Sequence, residues 1–278
     1  MSGDTSQDAQ RTWNRVAEAY AHRRGRSDAT KPAHDWIVEQ AHPQPGHVIL
    51  DLAAGAGDLG HRIASMVSPG GRIICSDLAP GMVDVARAIG NERDLDSVEY
   101  RVMDAHHMDL EDGSVDAIVC SAALMLMPDP DAVFAEARRV LRPGGVLAFS
   151  VFTTAAENPW VSVPLRVFVE RGHIDPPARS GPGMFALGDR RQLRDRVEAA
   201  GFDTTLVEGI DHTTQWENDD AVWAVSAEVN ARTAPVVAAM GDTERVATRA
   251  AVLEALARYR SDDGSYPVPG RMWGVSAR

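Results

Sequence analysis

Residues 48–60 read VILDLAAGAGDLG. Strand formers and an acid run into small residues with glycines at 55, 57 and 60, and Asp58 then opens a helical pattern. A strand–turn–helix junction of this kind grips ligands, because glycine lets the backbone approach closely and a helix start presents free N–H groups. Two patterns overlap in it. Residues 55–60 fit the dinucleotide pattern G-x-G-x-x-G, whereas residues 51–57 place an acid just ahead of the loop and fit a different one. The surrounding chain has to decide between them.

Strand and helix patterns alternate on both sides of the junction. RIICSD (72–77), SVEYRVMD (97–104), SVDAIVCSA (114–122) and VLAFSVF (146–152) read as buried strands. PGMVDVARAIG (80–90) reads as a helix with Pro80 in its first turn and Gly90 near its end. Asp129 predicts an N-cap with Pro130 at the first helical position, and Val133, Phe134, Ala137, Val140 and Leu141 fall on one face. RPGG (142–145) ends that helix. Strands apolar on both faces and separated by helices predict an α/β, doubly wound, mostly parallel sheet.

The ends of the chain differ from this core. Trp13, Val16, Ala17 and Tyr20 share a helical face, and a second helix follows around 32–41, so 1–45 forms an N-terminal helical segment ahead of the core at 46–152. A proline-rich cap segment is expected over 153–188, and a helix and strand over 189–215. A helical cap insertion is expected over 216–262, and a final strand over 263–278, read from RMWGVSAR.

Among 278 residues, 40 acids stand against 28 bases for a formal charge of −12, so a phosphate backbone is not attracted and no nucleic-acid substrate is expected unless a local basic patch exists. The two cysteines, Cys75 and Cys120, make neither a disulfide framework nor a zinc-ligand spacing, and nine histidines, including the His106–His107 pair, lack companion ligands. No metal is expected. No apolar run reaches the length of a membrane span, and the polar opening MSGDTSQDAQ does not read as a signal peptide, so a cytoplasmic protein is expected.

Charge also separates the two loop readings. Asp77, ending the second strand, suits any ligand with ribose hydroxyls. Asp51 inside the first strand is a poor neighbour for pyrophosphate but suits a ligand carrying an ammonium and a sulfonium, which favours S-adenosylmethionine over NAD.

VILDLAAGAGD, CSDLAPGMVDVAR, VMDAHHMDLEDGSVDAIVCSAALMLMPD and EARRVLRPGGVLAFSVF follow one another at ordinary spacing. In that order they resemble the five motifs of class I S-adenosylmethionine-dependent methyltransferases, most similar to the ubiquinone/menaquinone-biosynthesis-type branch. The resemblance covers about residues 10–152 and implies a seven-stranded Rossmann-like sheet with an antiparallel last strand, here with helical cap insertions. It implies that Asp51 with the Ala53, Gly55 and Gly57 backbone holds the methionine end of the cofactor. Asp77 would accept the ribose hydroxyls, with Leu78 and Met82 packing on the adenine. Asp104 would face the adenine amino group beside the Ala105 backbone, and Ser121 and Ala122 would lie beside the reactive methyl. Trp13 and Tyr20 resemble the aromatic pair that closes over the cofactor.

Two departures stand out. Ala53 replaces a glycine common in the family, which requires that its backbone not be left-handed. Met125 replaces a histidine or other polar group, removing one candidate base. The implied reaction is methylation of a small hydrophobic or aromatic acceptor at oxygen or carbon, releasing S-adenosylhomocysteine. The alternative is a cofactor-binding protein of the same fold that catalyses a non-methyl reaction such as cyclisation, or only binds. Trp160, Phe168, Phe185, Trp216, Trp223 and Met240, outside the shared core, are expected with Met125 to line an apolar acceptor pocket, with His173 or His212 as polar anchors.

Overall fold

The computed structural model describes residues 7, 9–15, 17, 28–176, 181–203, 205–229 and 232–278. Seven strands form one sheet: β1 (Val48–Leu52), β2 (Arg72–Asp77), β3 (Val98–Val102), β4 (Val115–Ser121), β5 (Leu141–Phe152), β6 (Thr205–Trp216) and β7 (Tyr266–Ala277). Their order is β3-β2-β1-β4-β5-β7-β6. The first five strands run parallel, and β7 lies antiparallel between β5 and β6.

Helices α1 (Lys31–Ala41), α2 (Asp58–Ile63), α3 (Pro80–Glu92) and α4 (Pro130–Val140) flank the core strands. Leu50, Leu52, Ile118 and Cys120 face the apolar cluster that holds Phe134 and Phe149, while Ile49, Ala117 and Val119 face the cluster of Ile37, Leu59 and Ile63. This two-sided burial is why these strands read as continuous apolar runs rather than alternating ones. The Asp129 side chain accepts from Ala132 N–H at 3.1 Å, capping α4. Because β2 and β4 lie on opposite sides of β1, a crevice opens beyond their carboxyl ends, where doubly wound sheets bind ligands.

Some boundaries differ from the sequence expectation. Gly90 lies near the end of α3, as expected, and the helix runs on to Glu92. A β-carbon there would lie 1.7 Å from Tyr100 Oη, so the glycine lets the helix pack on β3. RPGG belongs to β5 as an irregularity: the β4–β5 register jumps from Val115↔Leu141 to Ala117↔Val146. The last strand begins at Tyr266, inside the expected 263–278 segment and five residues ahead of RMWGVSAR. Pro267 and Pro269 argue against a strand in sequence, yet β7 pairs with β5 only from Met272 onward. The proline stretch is bonded on one side only, where missing N–H groups are tolerated.

Beyond the core, α5 (Pro159–Glu170) and α6 (Arg190–Ala199) follow β5, and α7 (Asp219–Trp223), α8 (Ala234–Ala239) and α9 (Asp242–Leu256) lie between β6 and β7. Phe168, Trp216, Trp223, Val252, Leu256 and Tyr266 make a separate apolar core there, in which Phe168 stacks on Trp223 with centroids 6.3 Å apart. No helix among the described residues is long and apolar enough to cross a membrane.

Candidate functional site

The loop after β1 turns by left-handed backbone at three positions. Gly55 and Gly57 have φ of 55° and 83°, and Ala53 has φ of 53°. The requirement that Ala53 avoid this region is therefore not met. Its β-carbon crowds the following carbonyl, at a cost of about 1–2 kcal/mol for an L-residue. Gly60, in the first turn of α2, has no room for a side chain, since a β-carbon would meet Cys75 Sγ at 2.4 Å and Asp51 Oδ2 at 2.8 Å.

Asp51 sits beneath this contact. It is 2 % exposed, and its Oδ2 accepts from Gly60 N–H at 2.7 Å and lies 3.9 Å from Cys75 Sγ. Burial pushes its carboxyl up to about 7, reinforced by the charges of Asp58 and Asp77 and opposed by the Gly60 N–H. The carboxylate thus pins α2 to β1.

Asp77 ties two loops together. Its Oδ2 accepts from Gly55 N–H at 3.0 Å and its Oδ1 from Ala79 N–H at 2.9 Å. Burial raises its pKa, and these N–H groups partly offset the rise. Asp104 Oδ1 accepts from the backbone N–H of His106 at 2.9 Å and lies 2.7 Å from His106 Nδ1. Burial works to raise the Asp104 pKa, but the His106 contacts outweigh it and hold the carboxyl below its usual range.

These residues surround one cavity at the carboxyl edge of the sheet. Ala53, Gly55, Asp77, Leu78 and Met82 form one wall, and Asp104, Ala105, Ser121 and Ala122 form another, with Trp13 from the N-terminal helical residues over it. That helical stretch is fixed by Gln10 Nε2 donating to Leu78 O at 2.9 Å and by Gly81 N–H donating to Asn14 Oδ1 at 2.8 Å. Asp51 and Gly57 do not line the cavity: they shape the loop from behind. Tyr20 lies outside the described residues.

The expected acceptor residues are not gathered here. Phe168, Trp216 and Trp223 are buried in the cap core, because the two cap segments fold together with the projecting ends of β6 and β7 and so have an interior to fill. Met240 packs against the same core. Met125 is buried in the main core, with its carbonyl accepting from Gly183 N–H at 2.9 Å. Trp160 packs edge-on against Phe152 and His212, and Phe185 leans on the main core; neither lines the cavity. His173 is held by Thr248 at 3.1 Å and Glu244 at 2.9 Å in the cap. Burial lowers the pKa of His212, which sits behind Trp160.

Four residues not expected from sequence line the cavity instead: Ala123, Leu126, Met127 and Pro128. The short turn Leu124–Leu126 buries Leu124 and Met125 and leaves Leu126 half-buried toward the cavity. Two histidines also went unassigned in sequence. His106 lines the cavity, and an Asp-x-His spacing beside a strand end was the available signal. His34 on α1 reaches Ser121 Oγ at 3.0 Å across 87 residues of sequence, with no local signal at all.

The donor set fits an adenosyl cofactor: apolar Leu78, Met82 and Met103 for a purine, and acceptor carboxylates at Asp77 and Asp104 for hydroxyl and amino groups. Residues 50–149 match the family model described as a methyltransferase domain. An arsenite methyltransferase of Halobacterium salinarum is 30% identical over 196 residues, covering 68% of this chain and 47% of its own length. A ubiquinone/menaquinone biosynthesis C-methyltransferase of Acidiphilium cryptum is 36% identical over 127 residues, covering 44% of this chain and 50% of its own. The chain thus spans about half the length of these curated relatives. The crystal structure of a methyltransferase candidate from Bacillus halodurans C-125 superposes with a TM-score of 0.59 at 19% identity, over 88% of this chain and 97% of that one. With its motifs, sheet order and cavity in agreement, residues 50–149 carry a methyltransferase domain similar to that of class I S-adenosylmethionine-dependent methyltransferases.

Proposed function

We propose that the chain methylates a small, neutral, hydrophobic or aromatic acceptor at oxygen or carbon. The observation that carries this reading is the division of the cavity. Its carboxylates, Asp77 and Asp104, come from the carboxyl ends of β2 and β3, while Ser121 through Pro128, after β4, contribute a hydroxyl and apolar groups but no ionisable side chain. An apolar wall with few polar anchors suits a neutral organic acceptor rather than a charged one.

S-adenosylmethionine supplies an electrophilic methyl group, and its transfer is an in-line displacement that depends on placing donor and acceptor in contact. On this reading Asp77 orients the ribose, and Leu78 and Met82 hold the adenine. Ser121 and Ala122 flank the transfer point, and Leu126, Met127 and Pro128 exclude water around the acceptor. Trp13 closes the opening. Trivalent arsenic would want thiolate ligands, and both cysteines here are buried in strands and neither lines the cavity. That argues for an organic acceptor over the chemistry named for the Halobacterium relative.

The test is incubation with methyl-labelled S-adenosylmethionine and a panel of phenols, quinones, indoles and polyketides. Label on a neutral member, with stoichiometric S-adenosylhomocysteine, is expected. Label only on charged compounds would overturn the acceptor class. Conversion of a compound without S-adenosylhomocysteine would favour a non-methyl reaction instead.

A further inference from the structure

His34 has no part in the roles given so far. It is half-buried on α1, and its Nε2 lies 3.0 Å from Ser121 Oγ at the end of β4. Ser121 lines the cavity and His34 does not, so the imidazole stands behind the serine. The layer around them is apolar: Ile37 on α1, Val119 on β4 and Ala148 on β5 belong to one buried cluster. Level with Ser121 on β5 is Ser150, whose fully buried hydroxyl has no hydrogen-bond partner among the described residues. Because side chains alternate along a strand, both serines share the face of Val119 and Ala148, which carries α1. Buried polar groups in such a layer are costly, and each needs a reason. The turn after β4, residues 122–128, offers no polar side chain of its own. Asp35, next to His34, is engaged by Lys31 at 2.8 Å and by Arg62.

We propose that Ser121 and His34 form a proton relay for the acceptor, which makes that acceptor a phenol or enol methylated at its hydroxyl oxygen. The inference rests on the acceptor reading above, with Ser121 beside the transfer point. The acceptor hydroxyl donates to Ser121 Oγ, and the serine hydroxyl donates to His34 Nε2. As the oxygen–methyl bond forms and the sulfur–methyl bond breaks, the acceptor proton passes to Ser121 Oγ and the serine proton to His34 Nε2. The positive charge lost at sulfur ends on the imidazolium. The relay needs the neutral ring, so it runs only above the titration of the imidazole.

Rates on the hydroxylated members of the labelled panel test this. In the unmodified protein kcat should fall as the pH is lowered through the imidazole range, between about pH 5 and 8. His34→Gln offers Ser121 an amide oxygen but no base. It should lower kcat about a hundredfold, the lower end of what a general base supplies, and flatten that limb, with KM and S-adenosylhomocysteine affinity little changed. The loss should shrink for phenols carrying a nitro group, which part with their proton unaided. A mere staple between helix and strand would change stability and leave the pH profile intact. Ser121→Ala gives a measurement that needs no turnover. In the ligand-free protein the ring resonances of His34 should titrate at higher pH, since the hydroxyl no longer donates to the neutral ring. An unchanged pH profile in His34→Gln, an unmoved His34 titration in Ser121→Ala, or label on carbon or only on members without a hydroxyl would overturn the proposal. Label on no neutral member would overturn the acceptor reading beneath it.

Discussion

Asp77 Oδ2 accepts the Gly55 N–H at 3.0 Å, so the acid at the end of β2 holds the glycine loop of β1 as well as facing the cavity. Its other oxygen takes the Ala79 N–H at the start of α3. On the proposed placement of the cofactor, removing the carboxylate would strip the ribose of its acceptor and free the loop assigned to the methionine end. Charged hydrogen bonds are worth roughly 1.5–3 kcal/mol each. Asp77→Ala should weaken S-adenosylhomocysteine binding at least tenfold while the chain remains folded. Calorimetry with a parallel thermal melt checks this, and unchanged affinity would show that the ribose lies elsewhere.

Asp51 makes stability depend on pH. Its folded-state pKa, about 7, lies above the ordinary 3.8, so the folded protein holds a proton that the unfolded chain has lost between those values. The unfolded state binds fewer protons in that window, so stability falls as pH rises through it. Above pH 7 the buried charge carries its full cost, on the order of a few kcal/mol at most. Asp51→Asn keeps an oxygen to accept the Gly60 N–H and removes the titration. Urea unfolding of the ligand-free protein between pH 4 and 8 should slope downward, and the slope should flatten in the variant. Parallel curves would remove Asp51 from the account.

Ala53 is strained where glycine would not be. Ala53→Gly relieves the left-handed penalty but gives the unfolded chain more freedom, for a net gain of about 0.5–1 kcal/mol. Denaturant midpoints measure this directly, and a loss of stability would mean that the methyl group packs usefully in the loop.

Much of the fold was written locally. Two-sided burial gave the strands of the core their apolar runs, Asp129 and Pro130 announced α4, and the glycines of 55–57 announced the loop. Distance in sequence hid the rest. His34 meets Ser121, and Phe168 meets Trp223 and Tyr266, only because the sheet order brings those elements together. RMWGVSAR marked the part of β7 that pairs on both sides; the tolerance of Pro267 and Pro269 ahead of it depends on which edges of the strand are paired. The left-handed turn at Ala53 was invisible for the opposite reason: an alanine carries no mark of the conformation its neighbours impose.

The separation of cap core from cavity yields the last prediction. Phe168 is fully buried against Trp223, and truncating a buried phenylalanine costs about 3–5 kcal/mol. Phe168→Ala should therefore lower the melting temperature markedly, yet leave S-adenosylhomocysteine affinity near that of the unmodified protein wherever the variant is folded. Leu126 and Met127 stand in the reverse position, half-buried on the cavity wall with Met125 behind them. Leu126→Ala and Met127→Ala should cost little stability, because each side chain already keeps one side free. On the acceptor found in the labelled panel, each should raise KM about five- to tenfold, the loss of one to two buried methylenes, with cofactor affinity unchanged. Steady-state kinetics with the cofactor saturating separates these effects. A Phe168→Ala protein that melts normally but loses its acceptor KM would place the pocket in the cap after all, whereas loss of cofactor affinity in Leu126→Ala would move that side chain to the methionine end.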